Sequence, residues 1–111
     1  MLGFTGCEKI EEFMNNSTVT IAYSYPNESN WLRVSNYYDL TITIDDKKYN
    51  SIGTYTVPVG TVIKLSWKWN GMSESSWVKN QSGNAEVLVD SYKNCKVTIA
   101  GSQILIDYSL I

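Results

Sequence analysis

Histidine is absent from this chain of 111 residues. Its absence excludes the Ser-His-Asp triad, the Cys-His pair and every zinc site that uses imidazole. Cysteine is nearly absent, with Cys7 and Cys95 the two present. Two thiols so far apart in sequence make neither a four-cysteine metal site nor a disulfide framework. One bridge between them would contribute roughly 4–5 kcal/mol through loop entropy. Two reduced, mostly buried thiols are the plainer expectation. Excess charge is lacking too: nine basic and eleven acidic residues give a net charge of −2. Such a chain attracts a polyphosphate weakly, so nucleic acid is not an expected partner. No apolar run reaches the roughly 18 residues that span a bilayer. Phosphate-binding and dinucleotide-binding glycine patterns are missing as well. These absences together predict no enzyme, no cofactor and no metal.

What the chain has is hydrophobic and aromatic side chains, 43% and 13% of residues, with eight Tyr and four Trp. That composition is globular, and the length suits one domain. Residues 1–16 read as an N-terminal arm with a short helix, because Ile10, Phe13 and Met14 share one face of "EKIEEFMN". "FTGC" matches a bacterial lipobox ending at Cys7. Too few residues precede Cys7 for an apolar leader, so no export signal is expected here.

From Ser17 to residue 111 the period is two, and a single β-sandwich domain is expected over 17–111. Val19, Ile21, Tyr23 and Tyr25 fall on one face of the first strand. Leu40, Ile42 and Ile44 do so in a second, and Ile63, Leu65, Trp67 and Trp69 in a third. Turns are expected at "DDKK" (45–48), at "VPVG" (57–60) and at Asn70-Gly71, with polar breaks at 81–84 and 91–94. The last hairpin can be registered residue by residue. A turn at Gly101-Ser102 sets Ala100 opposite Gln103, Ile99 opposite Ile104 and Val97 opposite Ile106, with the four aliphatics Ile99, Ile104, Val97 and Ile106 on one inward face. It also sets Lys96 opposite Asp107 on the wet face and Cys95 beside Tyr108 on the inner face, which favours a buried thiol. The fold class expected is therefore all-β, an antiparallel sandwich of short strands.

Two stretches repeat: "TVTIAYSYPNESNWLR" and "TVIKLSWKWNGMSESSWVK". Each is a strand ending in two aromatics, then a polar loop, then a tryptophan. Trp67 and Trp69 continue an aliphatic face and read as core. Trp31 and Trp77 sit among Asn, Ser, Glu and a cation. Two readings stay open for them, a partly buried loop anchor or a contact residue. In the contact reading Trp31 and Trp77 stack on a ligand, Asn30 and Ser76 hydrogen-bond it, and Arg33 and Lys79 flank the site. Glu28 and Glu74 occupy matched positions but read as solvated loop carboxylates, not as a glycosidase pair. Asp45-Asp46 lacks the Asp-rich spacing of a calcium loop.

Residues 40–71 carry a resemblance. Ile42 and Ile44, then Val57-Pro58-Val59-Gly60, then Ile63 and Leu65 resemble the surface-exposed β modules called PEGA repeats. "DDKK" departs from them, since those modules usually place a Gly there. The resemblance implies an immunoglobulin-like or transthyretin-like sandwich without catalysis. In style, as a short His-free β-domain rich in Asn, Ser and Tyr, the chain is similar to small accessory virion proteins of tailed bacteriophages. That similarity implies a non-enzymatic structural or decorating component, on the capsid or at the tail or neck. Such a component is made in the host cytoplasm and partnered by other virion subunits or by itself. The alternatives are a glycan-binding sandwich that meets a cell-surface glycan, or a lipoprotein domain on a bacterial surface. Apolar ends suggest assembly contacts through Met1, Leu2, Phe4, Ile10, Phe13, Met14, Leu110 and Ile111.

Overall fold

The structure is a computed structural model, and it describes residues 16–28, 31–89 and 94–109. The expected helix and all eight terminal residues proposed for assembly contacts lie outside those residues, as does Asn30. Among the described residues every element is a strand. They are β1 (Asn16–Ser24), β2 (Asn27–Glu28), β3 (Leu32–Ile44), β4 (Lys47–Tyr49), β5 (Gly53–Pro58), β6 (Val62–Ser73), β7 (Ser76–Leu88), β8 (Asn94–Ala100) and β9 (Gln103–Ser109).

Two sheets pack face to face, an arrangement that fits a β-sandwich. One has the strand order β5-β1-β8-β9, the other β2-β3-β6-β7 with β4 also on β3. The alternation seen in the sequence sets the inner faces. Val19 and Ile21 of β1, and Val97 and Ile99 of β8, are buried against Ile42, Ile44, Ile63, Leu65 and Trp67 of the second sheet. Tyr49 of β4 meets Tyr55 of β5, ring centroids 5.3 Å apart, and so closes one side between the sheets. One pairing departs from the antiparallel expectation. β1 runs parallel to β8, with Val19 opposite Cys95 and Ile21 opposite Val97. A parallel pair needs a long crossover. Here the chain between β1 and β8 supplies it by building the whole second sheet.

The last hairpin has the register read from sequence: Ala100 opposite Gln103, Ile99 opposite Ile104, Lys96 opposite Asp107 and Cys95 opposite Tyr108. Gly101 has φ +65 while Ser102 keeps φ negative, as a type II′ turn requires. Cys95 is buried. The inward expectation fails for two residues of β9: Ile106 opposes Val97 but remains 38% exposed, and Tyr108 opposes Cys95 but remains 50% exposed. β9 is the outer strand of its sheet, so its inner face is only partly covered. Tyr25 is likewise exposed, because it follows the end of β1.

Three turn expectations need correction. Asn70-Gly71 makes no turn and lies inside β6. A Cβ on Gly71 would overlap the backbone carbonyl of Arg33, so this glycine serves close approach of β3 and β6. The β6–β7 turn falls at Glu74-Ser75 (φ 51 and 69), left-handed like Asp45-Asp46 (φ 49 and 64). Both are two-residue turns of the type I′ kind without a glycine. The proline turn is shifted by one: Thr61 N–H donates to the Pro58 carbonyl (3.2 Å) and Gly60 takes φ +100. Residues 81–84 are not a break but the middle of β7. There Gly83 underlies the Trp67 indole, leaving no room for a Cβ.

Candidate functional site

The site is built by strands that outrun their sheet. Trp67 Nε1 donates to the Gly101 carbonyl (2.7 Å) and Trp69 Nε1 to Ser102 Oγ (2.9 Å). The Gly101-Ser102 turn is where the β8–β9 hairpin ends. β6 runs on from Trp69 to Ser73, about 13 Å at the usual rise per residue. β3 and β7 accompany it: Arg33 opposes Met72, Leu32 opposes Ser73, and Met72 opposes Trp77. The result is an extension of the larger sheet that projects past the smaller one.

A tyrosine cluster braces its base. Tyr37 stacks on Tyr23 with centroids 4.6 Å apart, and Tyr25 leans on Tyr37 at 5.2 Å. The Tyr37 hydroxyl donates to the Ser24 carbonyl (2.5 Å) and accepts from Gly101 N–H (2.8 Å). It thereby ties β3 to the ends of both β1 and β8. Burial first, then the neighbouring phenols, holds the Tyr37 pKa above its ordinary value, against the Gly101 bond that lowers it. Tyr23 is raised for the same leading reason.

The tip carries the tryptophans. Trp31 is 69% exposed at the turn before β3, where its carbonyl accepts Glu74 N–H (2.8 Å). Trp77 is 55% exposed. β6 lies between them, so two strand spacings, about 10 Å, separate their strands. Arg33, Met72 and Trp77 form one cross-strand row, and directly opposed residues share a face. That face is the outer one, since Leu32, Val34 and Val78 of the neighbouring positions turn toward the interior. Of the residues expected to bind, the structure thus brings Trp31, Arg33, Trp77 and Ser76 to one end. Lys79 stands two residues after Trp77 on the same strand, exposed, beside the bulge where Asn80 has φ 54. Ser76 closes the turn opposite Ser73. Met72 was not foreseen. Its partners become readable only once the β6–β7 turn is placed at Glu74-Ser75.

Below the tip the outer face is polar. Asn80 N–H donates to Asn70 Oδ1 (2.8 Å), the Tyr38 hydroxyl donates to Asn80 Oδ1, and Lys68 lies 3.9 Å from Asp39. An open depression of about 440 Å³ follows, bordered by Thr41, Thr43, Lys64, Ser66, Asn84 and Glu86. Glu74 is exposed in its turn, and the side chain of Glu28 lies outside the described residues. Among the described residues no group of three acidic or cysteine side chains could hold a metal. No helix among them is long and apolar enough to cross a membrane. Compared with protein-family models, curated proteins and solved structures, the chain matches none.

Proposed function

We propose that this chain is a non-enzymatic binding module and that the tip of the β3–β6–β7 extension is its contact surface. One observation carries the reading: Trp31, Trp77 and Arg33 are exposed together at a braced end of the sheet, with Met72 between Arg33 and Trp77. Trp, Met and Arg are the side chains enriched at protein interfaces, and exposed indoles are the usual anchors of binding energy. The favoured role is protein–protein contact within an assembly, as a structural or decorating component of a phage particle made in the host cytoplasm. The small size, the lack of histidine and the β architecture support it by similarity of style.

The second reading is a glycan-binding module. It draws on the exposure of both indoles, whose faces stack on sugar C–H groups, and on Asn30 and Ser76, which precede them in the sequence and could hydrogen-bond a sugar. A domain tethered at Cys7 on a bacterial surface is the third setting for the same tip. We place the sandwich nearest the immunoglobulin-like or transthyretin-like kind. The parallel β1–β8 pair departs from the all-antiparallel sheets of an immunoglobulin constant domain.

The test compares wild type with Trp31→Ala/Trp77→Ala. Incorporation of each into the producing particle, and binding of each to a glycan array, are measured side by side. Lost incorporation supports the assembly reading, and lost glycan signal the second. Two proteins indistinguishable in both assays remove the tip as the contact surface.

A further inference from the structure

Among the described residues four strand edges flank the two sheets, and three are guarded. β2 and β4 are two and three residues long, and β4 carries exposed Lys47 and Lys48. β7 has a bulge at Lys79-Asn80. β5 ends in Pro58 and presents exposed Thr54 and Thr56. Short length, lysine, bulges and proline are the devices that stop an edge from pairing with another chain. β9 has none of them. It is seven residues long, with a continuous register against β8 and no proline or lysine. Its exposed side chains include Leu105 at 58% and Ile106 at 38%.

We infer that β9 is a self-association edge that pairs antiparallel with β9 of a second copy of this chain. The occupant follows from register and charge. In a two-residue hairpin the flanking pair, Ala100 and Gln103, is hydrogen-bonded, and such pairs then alternate. The backbone groups of Ile104 and Ile106 therefore point away from β8, toward a new strand. A two-fold axis at Leu105 sets Ile104 opposite the second copy's Ile106 as hydrogen-bonded pairs. It also sets Leu105 against itself and Gln103 against Asp107. An axis at Ile106 would oppose Leu105 to Asp107, and one at Asp107 would oppose two carboxylates directly. Of these three, the Leu105 axis is the one that sets every aliphatic side chain of the strand opposite another aliphatic and opposes no like charges, and Lys96 already faces Asp107 within each copy. Isologous pairing of this sort is the commonest closed symmetry. The contact is one strand wide, so a weak dimer is expected.

This inference is independent of the tryptophan tip. Its test is cross-linking of the full chain in a Cys7→Ser background. Leu105 would occupy a non-hydrogen-bonded pair, where side chains come closest. Leu105→Cys should therefore form a covalent dimer under mild oxidation, much faster than Thr56→Cys on guarded β5. Light scattering should show the wild-type mass rising with concentration from 12.6 kDa toward twice that value. Ile106→Pro should stay monomeric, because it deletes an outward N–H and no internal bond. Cross-linking of Leu105→Cys no faster than Thr56→Cys, or a wild type that stays monomeric at every concentration, would overturn the inference. The two cysteine variants decide the matter even if Ile106→Pro misfolds.

Discussion

The body and the tip of this molecule each hold two tryptophans, and their fates are opposite. Trp67 and Trp69 are 2% and 3% exposed, and each indole N–H is bonded to the Gly101-Ser102 turn. Trp31 and Trp77 stand in water on the same sheet. What separates the pairs is position on the sheet: Trp67 and Trp69 lie on its inner face, where a second layer lies opposite, whereas Trp77 lies in the outward row and Trp31 in the turn before β3. Beneath Trp67 and Trp69 the β8–β9 hairpin is still present. Beyond its turn the larger sheet continues alone. A tryptophan on the covered inner face therefore becomes core, and one on the outer face or in the tip turn becomes surface.

The sharpest way to break the comparison is in the body. Trp67→Ala removes a fully buried indole, its bond to the Gly101 carbonyl and its packing on Gly83. The expected loss is about 3–5 kcal/mol, a large share of the stability of a domain this size. Denaturant melts followed by far-ultraviolet dichroism measure it. A loss no greater than that of a surface substitution would mean the indole is not the keystone of the core.

Gly71→Ala acts where body and tip join. A methyl group there would collide with the Arg33 carbonyl, which belongs to backbone and cannot swing away. β3 and β6 must separate locally, at about 3 kcal/mol. The same melts report the loss. Amide exchange should rise first at Leu32–Val34 and Gly71–Ser73 while β1 and β8 stay protected. Uniform exchange across both sheets would show that tip and body unfold as one unit.

Much of this division was legible in the sequence, and the reasons it was not wholly so are physical. Period-two alternation identified Val19, Ile21, Ile42, Ile63, Leu65, Trp67 and Trp69 as core because a covered sheet face selects apolar side chains at every second position. The β8–β9 register was legible because only one register satisfied both faces. Asn70-Gly71 misled because the same dipeptide serves a tight turn or a close strand approach. Tertiary contact with Arg33 decides between these, and local sequence does not report it. Glu74-Ser75 gave no turn signal, since neither residue favours positive φ. Exposure at Trp31 and Trp77 stayed open until the turn at Glu74-Ser75 and the bulge at Lys79-Asn80 fixed which face of β7 turns outward. Ile106 read as core because its alternation is correct, but β9 is the outer strand of its sheet and its inner face is only partly covered.

Tyr37→Phe tests the brace between the two regions. It removes the hydroxyl that ties β3 to Ser24 and Gly101, at about 1–2 kcal/mol. It also changes the alkaline response. Burial raises the Tyr37 pKa in the folded state, so the fold favours the neutral phenol. The stabilisation linked to this group is complete below the unfolded value of 10.0 and is lost as pH rises above it. Wild type should therefore lose more stability than Tyr37→Phe between about pH 9 and about pH 11. Parallel alkaline profiles for the two proteins would show that the Tyr37 phenol is not held neutral by its surroundings.

The smallest effect on stability is expected where the tryptophans are most visible. Trp31→Ala and Trp77→Ala remove side chains that already lie mostly in water, so each should change stability by no more than about 0.5 kcal/mol. Trp77 has the larger share of that figure, because it pairs with Met72 across the strands and loses one cross-strand contact. Trp31 holds its turn through its backbone carbonyl, which the substitution leaves in place. A protein that keeps its fold while presenting two indoles and an arginine to solvent forgoes the burial that would have stabilised it. Such a surface is retained when its burial happens against a partner instead. Equal melts with lost partner or glycan binding would place the tip's contribution wholly outside the monomer. A loss of several kcal/mol from either substitution would instead make the tip a part of the core, and the contrast between the two tryptophan pairs would collapse.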